Sequence, residues 1–224
     1  MEINKAYPCR ADNYSQRSGK IEYIVVHYVG ATGSAKDNAM YYNREYVGNS
    51  AHFFVGHAAE NGAVYQSVDP QYRAWHCGSE TGRYVHPGCR NDNSIGVEMC
   101  CKYDAVRGWY FEPETVVSAT ALVRYLMQTY NVPAENVLRH YDVTGKSCPA
   151  PFMDANVWAQ FKSGLSIVEY TEPNDIVWEL QNRGIVLDSA GMVAEMEQNR
   201  DGRLYWLGRK TVQYIREREG NGSL

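Results

Sequence analysis

Residues 21–29 read Ile-Glu-Tyr-Ile-Val-Val-His-Tyr-Val, a run of β-branched and aromatic residues that is typical of a central strand buried on both faces. A second run of this kind covers Ser94–Cys101. Helical patterns separate and follow these strands: one over 34–46, with a serine at its N-cap position, and one over 113–130, with a proline at its first position. Because strands and helices alternate, we predict an α/β fold with a central mixed β-sheet flanked by helices.

The remaining signals in this part of the chain are shorter. Two further strands are expected at Ala51–Val55 and Ala63–Ser67, joined by a turn at 60–62. Residues 76–93 are rich in Gly, Ser, Asn and Pro and predict a long surface loop. Since loops of that length are uncommon unless they serve a function, this one is a candidate wall of a site.

The pattern changes near residues 168–174, which are polar and contain a proline. We therefore predict two domains, 1–168 and 169–224. Beyond the boundary no strand pattern appears, and a small all-helical C-terminal module is expected, with helices at Asp175–Arg183, Ser189–Gln198 and Leu204–Arg218. Its candidate contacts to a partner are three aromatic residues, Trp178, Tyr205 and Trp206.

Composition limits the classes of function. The 224 residues are 44% hydrophobic and 21% charged, as in an ordinary globular protein, and the net charge of −4 excludes the broad basic surface of a nucleic-acid binder. No run approaches the ~20 apolar residues of a membrane span. The N-terminus lacks the apolar core of a signal peptide, so we expect the chain to stay in the cytoplasm of the producing cell until it is released. The six cysteines form no Cys-x-x-Cys pair, which disfavours a four-cysteine zinc site.

One set of residues is suited to catalytic zinc. His27 lies inside the first strand, where a histidine is as often a neutral core residue as a ligand. His140 and, eight positions later (148 − 140), Cys148 supply a second imidazole and a thiolate. Two imidazoles and one thiolate suit zinc, and three protein ligands leave one tetrahedral position open, as in catalytic sites.

Five segments follow one another along the chain: Ile24-Val25-Val26-His27-Tyr28, Ser50-Ala51-His52-Phe53, Ala74-Trp75-His76, Asn93-Ser94-Ile95-Gly96-Val97-Glu98 and His140 to Pro149. In these motifs the chain resembles, over roughly residues 20–165, the zinc-dependent N-acetylmuramoyl-L-alanine amidases of the type 2 amidase and peptidoglycan recognition protein superfamily. The resemblance is strongest in the last motif, where His, Lys, Cys and Pro fall at the family spacing. It implies that His27, His140 and Cys148 bind one zinc ion per chain.

Glu98 is a carboxylate inside an apolar strand, a position that is unfavourable without a partner. One interpretation is a salt bridge at the sheet edge. The resemblance implies the other, a general base that deprotonates the attacking water. Strand alternation places Gly96 on the same face as Glu98, where the missing side chain is expected to leave space for substrate or metal.

Further site residues follow from the resemblance. Lys146 alone is an ordinary loop lysine, but the family's matching lysine stabilises the developing oxyanion. His76, with Trp75 before it, is expected to line the groove and contact substrate. Some phage relatives carry a tyrosine near the metal where this chain has Ala51, which shifts weight onto Glu98. Of the other histidines, His52 is expected to be structural, and two, His57 and His86, to lie in surface loops.

The resemblance implies hydrolysis of the amide between N-acetylmuramic acid and L-alanine in bacterial peptidoglycan. A phage or prophage endolysin fits the expected lack of a signal peptide, with the C-terminal helices as a wall-targeting or assembly module. The alternatives are a cytoplasmic amidase that recycles soluble muropeptides, a non-catalytic peptidoglycan-binding protein, and an unrelated structural protein. A comparison of activity on intact walls with activity on soluble fragments distinguishes an endolysin from a recycling amidase. A zinc assay distinguishes an enzyme from a non-catalytic binder.

Overall fold

The computed structural model describes residues 2–79, 82–165 and 189–199, together with positions 173, 176, 177, 180, 202, 207, 208, 211 and 212. The chain divides into two compact units, Met1–Leu165 and Ser166–Leu224. Within the described residues, no helix has both the length and the apolar character needed to cross a membrane.

The first unit is built on ten short strands, which we number in chain order. They are β1 Ile3–Asn4, β2 Tyr14–Gln16, β3 Tyr23–Tyr28, β4 Phe53–Val55, β5 Val64–Gln66, β6 Tyr72–Ala74, β7 Ser94–Met99, β8 Lys102–Asp104, β9 Gly108–Tyr110 and β10 Val137–Arg139.

Six of these strands form the central sheet, in the order β1-β5-β4-β7-β3-β10. The pairs β1·β5, β4·β7, β3·β7 and β3·β10 are parallel, and β4·β5 is antiparallel. The sheet is therefore mixed, which confirms the predicted α/β fold class. The two strands predicted first, β3 and β7, pair at its centre, where neighbouring strands cover both of their edges.

The helices among the described residues are α1 Ala35–Arg44, α2 Pro113–Tyr130, α3 His140–Thr144 and α4 Ala155–Leu165 in the first unit, and α5 Ser189–Gln198 in the second. In the first unit, α2 and α4 pack on one face of the sheet, and α1 packs against Phe54 on the other. Ser34 caps α1 as predicted: its hydroxyl accepts a hydrogen bond from the Asp37 backbone N–H at 3.0 Å. Apolar side chains of α2 and α4 pack on alternate residues of β3 and β7, which fill the main core. The opposite face of β3 and β7 is left for the residues of the site.

Several elements differ from the sequence-based expectations. The strand β10 and the helices α3 and α4 were not predicted, and neither was the β8–β9 hairpin. The 76–93 loop is irregular as expected, yet both of its cysteines, Cys77 and Cys89, are completely buried with free thiols. His57, expected at the surface, is buried as well, at the start of the short helical turn Ala58–Glu60.

In the second unit the helix α5 coincides with the prediction for Ser189–Gln198. A small apolar cluster contains Ile176, Val177, Leu180, Met196 and Val212. Leu207, inside the predicted helix Leu204–Arg218, is 53% exposed. The aromatic residues singled out in this module, Trp178, Tyr205 and Trp206, lie outside the described residues, as do the limits of the first and third predicted helices.

Candidate metal centre and active site

Three adjacent strands bring the key side chains to one level of the sheet. In the parallel pair β3·β7, His27 lies opposite Glu98. In the pair β3·β10, Arg139 lies opposite Val26, so the next residue, His140, follows beside His27. The rings of the two histidines accordingly lie 4.7 Å apart between centroids. Parallel register thus assembles most of the site at the carboxyl ends of neighbouring strands.

Cys148 reaches this point from a loop. The helix α3 ends at Gly145, whose φ of 80° lies in the left-handed region that favours glycine. The chain then turns back, and the Cys148 sulfur lies 3.8 Å from His27 Nδ1. One donor atom from each of His27, His140 and Cys148 can be chosen so that all lie within 4.8 Å of one another. The three predicted ligands therefore converge on one point.

The chemistry of these three side chains fits zinc. Each of them is at most 4% exposed. Burial raises the pKa of the Cys148 thiol to about 12 and holds the pKa of His27 well below its usual range. Neutral imidazoles are the form that binds a metal, and a cation at this point favours the thiolate that burial alone disfavours. A buried set of two imidazoles and one sulfur is thus a suitable zinc site.

Glu98 borders the same point. Its Oε1 lies 4.0 Å from His27 Nδ1, and its side chain is 20% exposed. Burial raises its pKa to about 8, although the positive charge of Lys146 acts in the opposite direction. Its Oε2 is buried without a hydrogen-bond partner among the described residues. Because β7 lies inside the sheet, the alternative of a salt bridge at a sheet edge does not apply, and an orphaned carboxylate oxygen fits a site that takes a cation, water or substrate.

These groups line a cleft of about 310 Å³. Lys146 lies at its exposed side, and Trp75 and His76 both contribute to its lining. The indole N–H of Trp75 donates to Ser15 Oγ at 3.0 Å, which holds the half-buried ring in place. The cleft therefore brings together all seven of the site residues predicted from the sequence.

The cleft also contains residues that the sequence did not single out. Tyr42 of α1 lines it, and its hydroxyl donates to Asn49 Oδ1 at 2.8 Å. Tyr28 lines it too, one residue after His27. Two tyrosines therefore reach the cleft, whereas Ala51 is buried. The short distance of Tyr28 from His27 in the sequence was a usable signal, whereas nothing local marks Tyr42.

The expectation for Gly96 was wrong in its detail. A Cβ added to Gly96 would lie 2.4 Å from Cγ of His76. The space that the glycine leaves is therefore filled by the His76 ring and is not open to substrate or metal. His52, expected to be structural, is completely buried and its Nδ1 accepts the Gly96 backbone N–H at 2.9 Å.

The part of the chain that contains the cleft is similar to known proteins. Residues 17–151 match the Amidase_2 family, described as N-acetylmuramoyl-L-alanine amidase. A probable N-acetylmuramoyl-L-alanine amidase of Bacillus licheniformis is 33% identical over 153 residues, which are 63% of this chain and 40% of that protein. The match thus spans less than half the length of this curated relative.

Two solved structures share the fold and part of the sequence. The structure of PlyL is 27% identical with a TM-score of 0.61, covering 75% of this chain and 98% of that one. A mutant endolysin from Bacillus subtilis is 26% identical with a TM-score of 0.60, covering 74% and 99%. The matched family segment, 17–151, contains all three candidate metal ligands as well as Glu98 and Lys146.

Proposed function

Because the chain belongs to the Amidase_2 family of N-acetylmuramoyl-L-alanine amidases, we propose that it is a zinc-dependent enzyme that cleaves the amide between N-acetylmuramic acid and L-alanine in bacterial peptidoglycan. The observation that carries this proposal is the convergence of His27, His140 and Cys148 within 4.8 Å, in a cleft shared with Glu98. A non-catalytic binder has no need for such a ligand set beside a buried carboxylate.

His27, His140 and Cys148 would hold the zinc ion. When bound, zinc would polarise the scissile carbonyl and make a water molecule more acidic. Glu98 is the group positioned to remove a proton from the attacking water, since its Oε2 lacks a hydrogen-bond partner among the described residues, and a cation in the site would lower its raised pKa and favour the carboxylate. The same carboxyl then donates that proton to the nitrogen of the leaving L-alanine.

Lys146 is proposed to stabilise the negative charge that develops on the substrate oxygen during the reaction. It lines the cleft with Glu98, and its ammonium group acts on the Glu98 carboxylate through space. A fixed positive charge beside a reacting carbonyl stabilises the tetrahedral oxyanion more than the neutral substrate. Trp75 offers a half-buried aromatic wall to the sugar or peptide, and Tyr42 and Asn49 add polar groups to the cleft lining.

The experiment is a cleavage assay on purified peptidoglycan, in which the release of free L-alanine amino groups is measured with and without a chelator. Cys148→Ala is expected to lose the metal and the activity. Glu98→Gln is expected to keep the metal and lose turnover. Cys9→Ala is the matched control, since Cys9 is a buried cysteine outside the cleft lining. Full activity of the Cys148 or Glu98 variant contradicts the proposal.

We propose further that the substrate is the intact wall, as for an endolysin, rather than soluble muropeptides. The similarity to a protein described as an endolysin supports this choice. Clearing of bacterial suspensions together with slow cleavage of soluble muropeptides is the expected result. The opposite preference would indicate a recycling amidase.

The second compact unit, Ser166–Leu224, is proposed to target the enzyme to the wall. Its support is that it forms its own apolar cluster beyond the segment that matches the amidase family. The full chain is expected to sediment with purified walls, and a chain ending at Leu165 to remain in the supernatant while still cleaving soluble muropeptides. Equal sedimentation of both chains contradicts a targeting role.

A further inference from the structure

His76 lines the cleft with a side chain that is almost wholly buried against His27. Its side chain is only 8% exposed, and its ring lies behind His27, with Nδ1 at 3.1 Å from His27 Nε2. We propose that His76 is a positioning residue, which fixes the tautomer and orientation of His27 so that Nδ1 of His27 faces the metal. This inference rests on the proposed zinc site and replaces the substrate-binding role expected for His76.

The direction of each hydrogen bond follows from a chain of contacts that begins outside the site. The Ser94 hydroxyl donates to the Arg90 carbonyl oxygen at 2.6 Å. Since a hydroxyl has one proton, its oxygen must then accept from His76 Nε2, which lies 3.1 Å away. The Nε2 of His76 therefore carries the proton, and its Nδ1 is left as an acceptor.

The next link determines the state of the metal ligand. An acceptor at His76 Nδ1 requires His27 Nε2 to be the donor across their 3.1 Å contact. In a neutral His27 the lone pair is then on Nδ1. That nitrogen is the one that lies 3.8 Å from the Cys148 sulfur and 4.0 Å from Glu98 Oε1. The series of hydrogen bonds from Arg90 through Ser94 and His76 to His27 thus directs the lone pair of His27 Nδ1 to the place where the three candidate ligands converge.

The second histidine ligand is oriented from the same segment. His140 Nε2 lies 3.2 Å from the carbonyl oxygen of Gly78, which can only accept, so Nε2 donates and the lone pair of a neutral His140 ring is on Nδ1. The segment is itself anchored, because Asn91 Oδ1 accepts the backbone N–H groups of His76 at 3.0 Å and Cys77 at 2.8 Å. One short stretch of the 76–93 loop therefore orients both imidazoles.

Packing restricts the His76 ring to this position. Gly96 lies against the ring, since any Cβ there would overlap Cγ of His76. The His52 ring lies edge-on at 5.5 Å between centroids. Because the His76 ring is enclosed in this way, it cannot rotate, and each of its two nitrogens keeps the same hydrogen-bond partner. Groups that orient a metal-binding histidine typically change metal affinity by 10- to 100-fold when they are removed.

The first experiment uses the chain without metal and reads the tautomer directly. Two-bond ¹H–¹⁵N correlations of the imidazole nitrogens are expected to show His27 protonated at Nε2 and unprotonated at Nδ1. In His76→Leu that pattern is expected to become a mixture of tautomers. A His27 that is protonated at Nδ1 in the wild type overturns the proposal.

The second experiment measures zinc affinity by competition with a chromophoric chelator. His76→Leu is expected to bind zinc about 10- to 100-fold more weakly. His76→Asn is expected to recover most of the affinity, because its amide oxygen takes the place of Nδ1 as an acceptor. His57→Leu is the matched control: His57 is a buried histidine outside the cleft lining and is expected to leave affinity unchanged.

The outcomes separate this inference from the function on which it rests. If the wild type binds zinc and His76→Leu binds it equally well while KM for peptidoglycan rises, His76 is a substrate contact and the inference is overturned. If the wild type binds no zinc, the proposed zinc dependence fails, and the tautomer measurement on the metal-free chain still decides whether His76 orients His27.

Discussion

Replacing Glu98 with glutamine tests the electrostatics of the site in the absence of metal. Burial raises the pKa of this carboxyl from 4.5 to about 8. A raised pKa in the folded chain means that the stability associated with the protonated form is complete below pH 4.5 and is lost as pH rises towards 8. Glutamine has no such proton to lose, so the variant is expected to escape this part of the pH dependence.

The size of the effect follows from the two pKa values. At pH 5 the carboxyl is protonated in the folded chain and mostly ionised in the unfolded chain, and at pH 7.5 it is still mostly protonated in the folded chain but wholly ionised in the unfolded chain. Since one pKa unit corresponds to about 1.4 kcal/mol, the wild type is expected to lose about 3 kcal/mol of unfolding free energy relative to Glu98→Gln between these two pH values.

The assay is urea unfolding in the presence of a chelator at pH 5 and 7.5, followed by tryptophan fluorescence. Glu195→Gln, on the exposed surface of α5, is the control for the substitution itself. With zinc added, the difference between wild type and Glu98→Gln is expected to shrink, because a nearby cation favours the carboxylate. If the metal-free wild type and Glu98→Gln change in parallel between the two pH values, the assignment of a raised pKa to Glu98 is wrong.

Three further predictions concern the metal and the reaction. Cys148→Ala is expected to purify with less than one tenth of the zinc of the wild type, measured by metal analysis; an equal zinc content would remove the sulfur from the ligand set. Lys146→Ala is expected to keep zinc but to lower kcat about 10²- to 10³-fold, which a steady-state assay with a zinc titration measures; an unchanged kcat contradicts the oxyanion role. Gly96→Ala is expected to destabilise the chain by about 1–3 kcal/mol in thermal unfolding and to weaken zinc binding, since its methyl group overlaps His76 at 2.4 Å; wild-type stability and affinity would show that the ring is free to move.

The elements that the sequence predicted well are those with strong local patterns. The strands β3 and β7 are continuous apolar runs, and α2 begins at a proline and carries helical apolar spacing. The strand β10 has only three residues, and it exists because it pairs with β3, more than a hundred positions earlier in the chain. Such a strand has almost no local signal, since its hydrogen bonds and its burial both come from a distant partner.

In the candidate site, too, some features follow from local sequence and others depend on residues that are distant in the chain. The residue types and spacing of His27, His140 and Cys148 were sufficient to propose zinc ligands, because few arrangements other than a metal site explain them together. Tyr42 could not be predicted as part of the cleft, since its position on α1 has meaning only once that helix packs beside β4. The positioning role proposed for His76 also differs from the substrate contact predicted from the motif, because a motif shows that a histidine is present without showing which way its nitrogens point.

The sequence by itself determined the fold class, the two central strands and the chemical identity of the candidate metal ligands, because hydrophobic periodicity and residue type are local properties of the chain. The tertiary structure alone decided the electrostatic and hydrogen-bonding state of those side chains. The contact between His27 and His76 joins residues 49 positions apart, and that between His27 and Cys148 joins residues 121 positions apart. The tautomer of a buried histidine and the raised pKa of Glu98 depend on such neighbours and on exclusion of water, which only the folded chain provides.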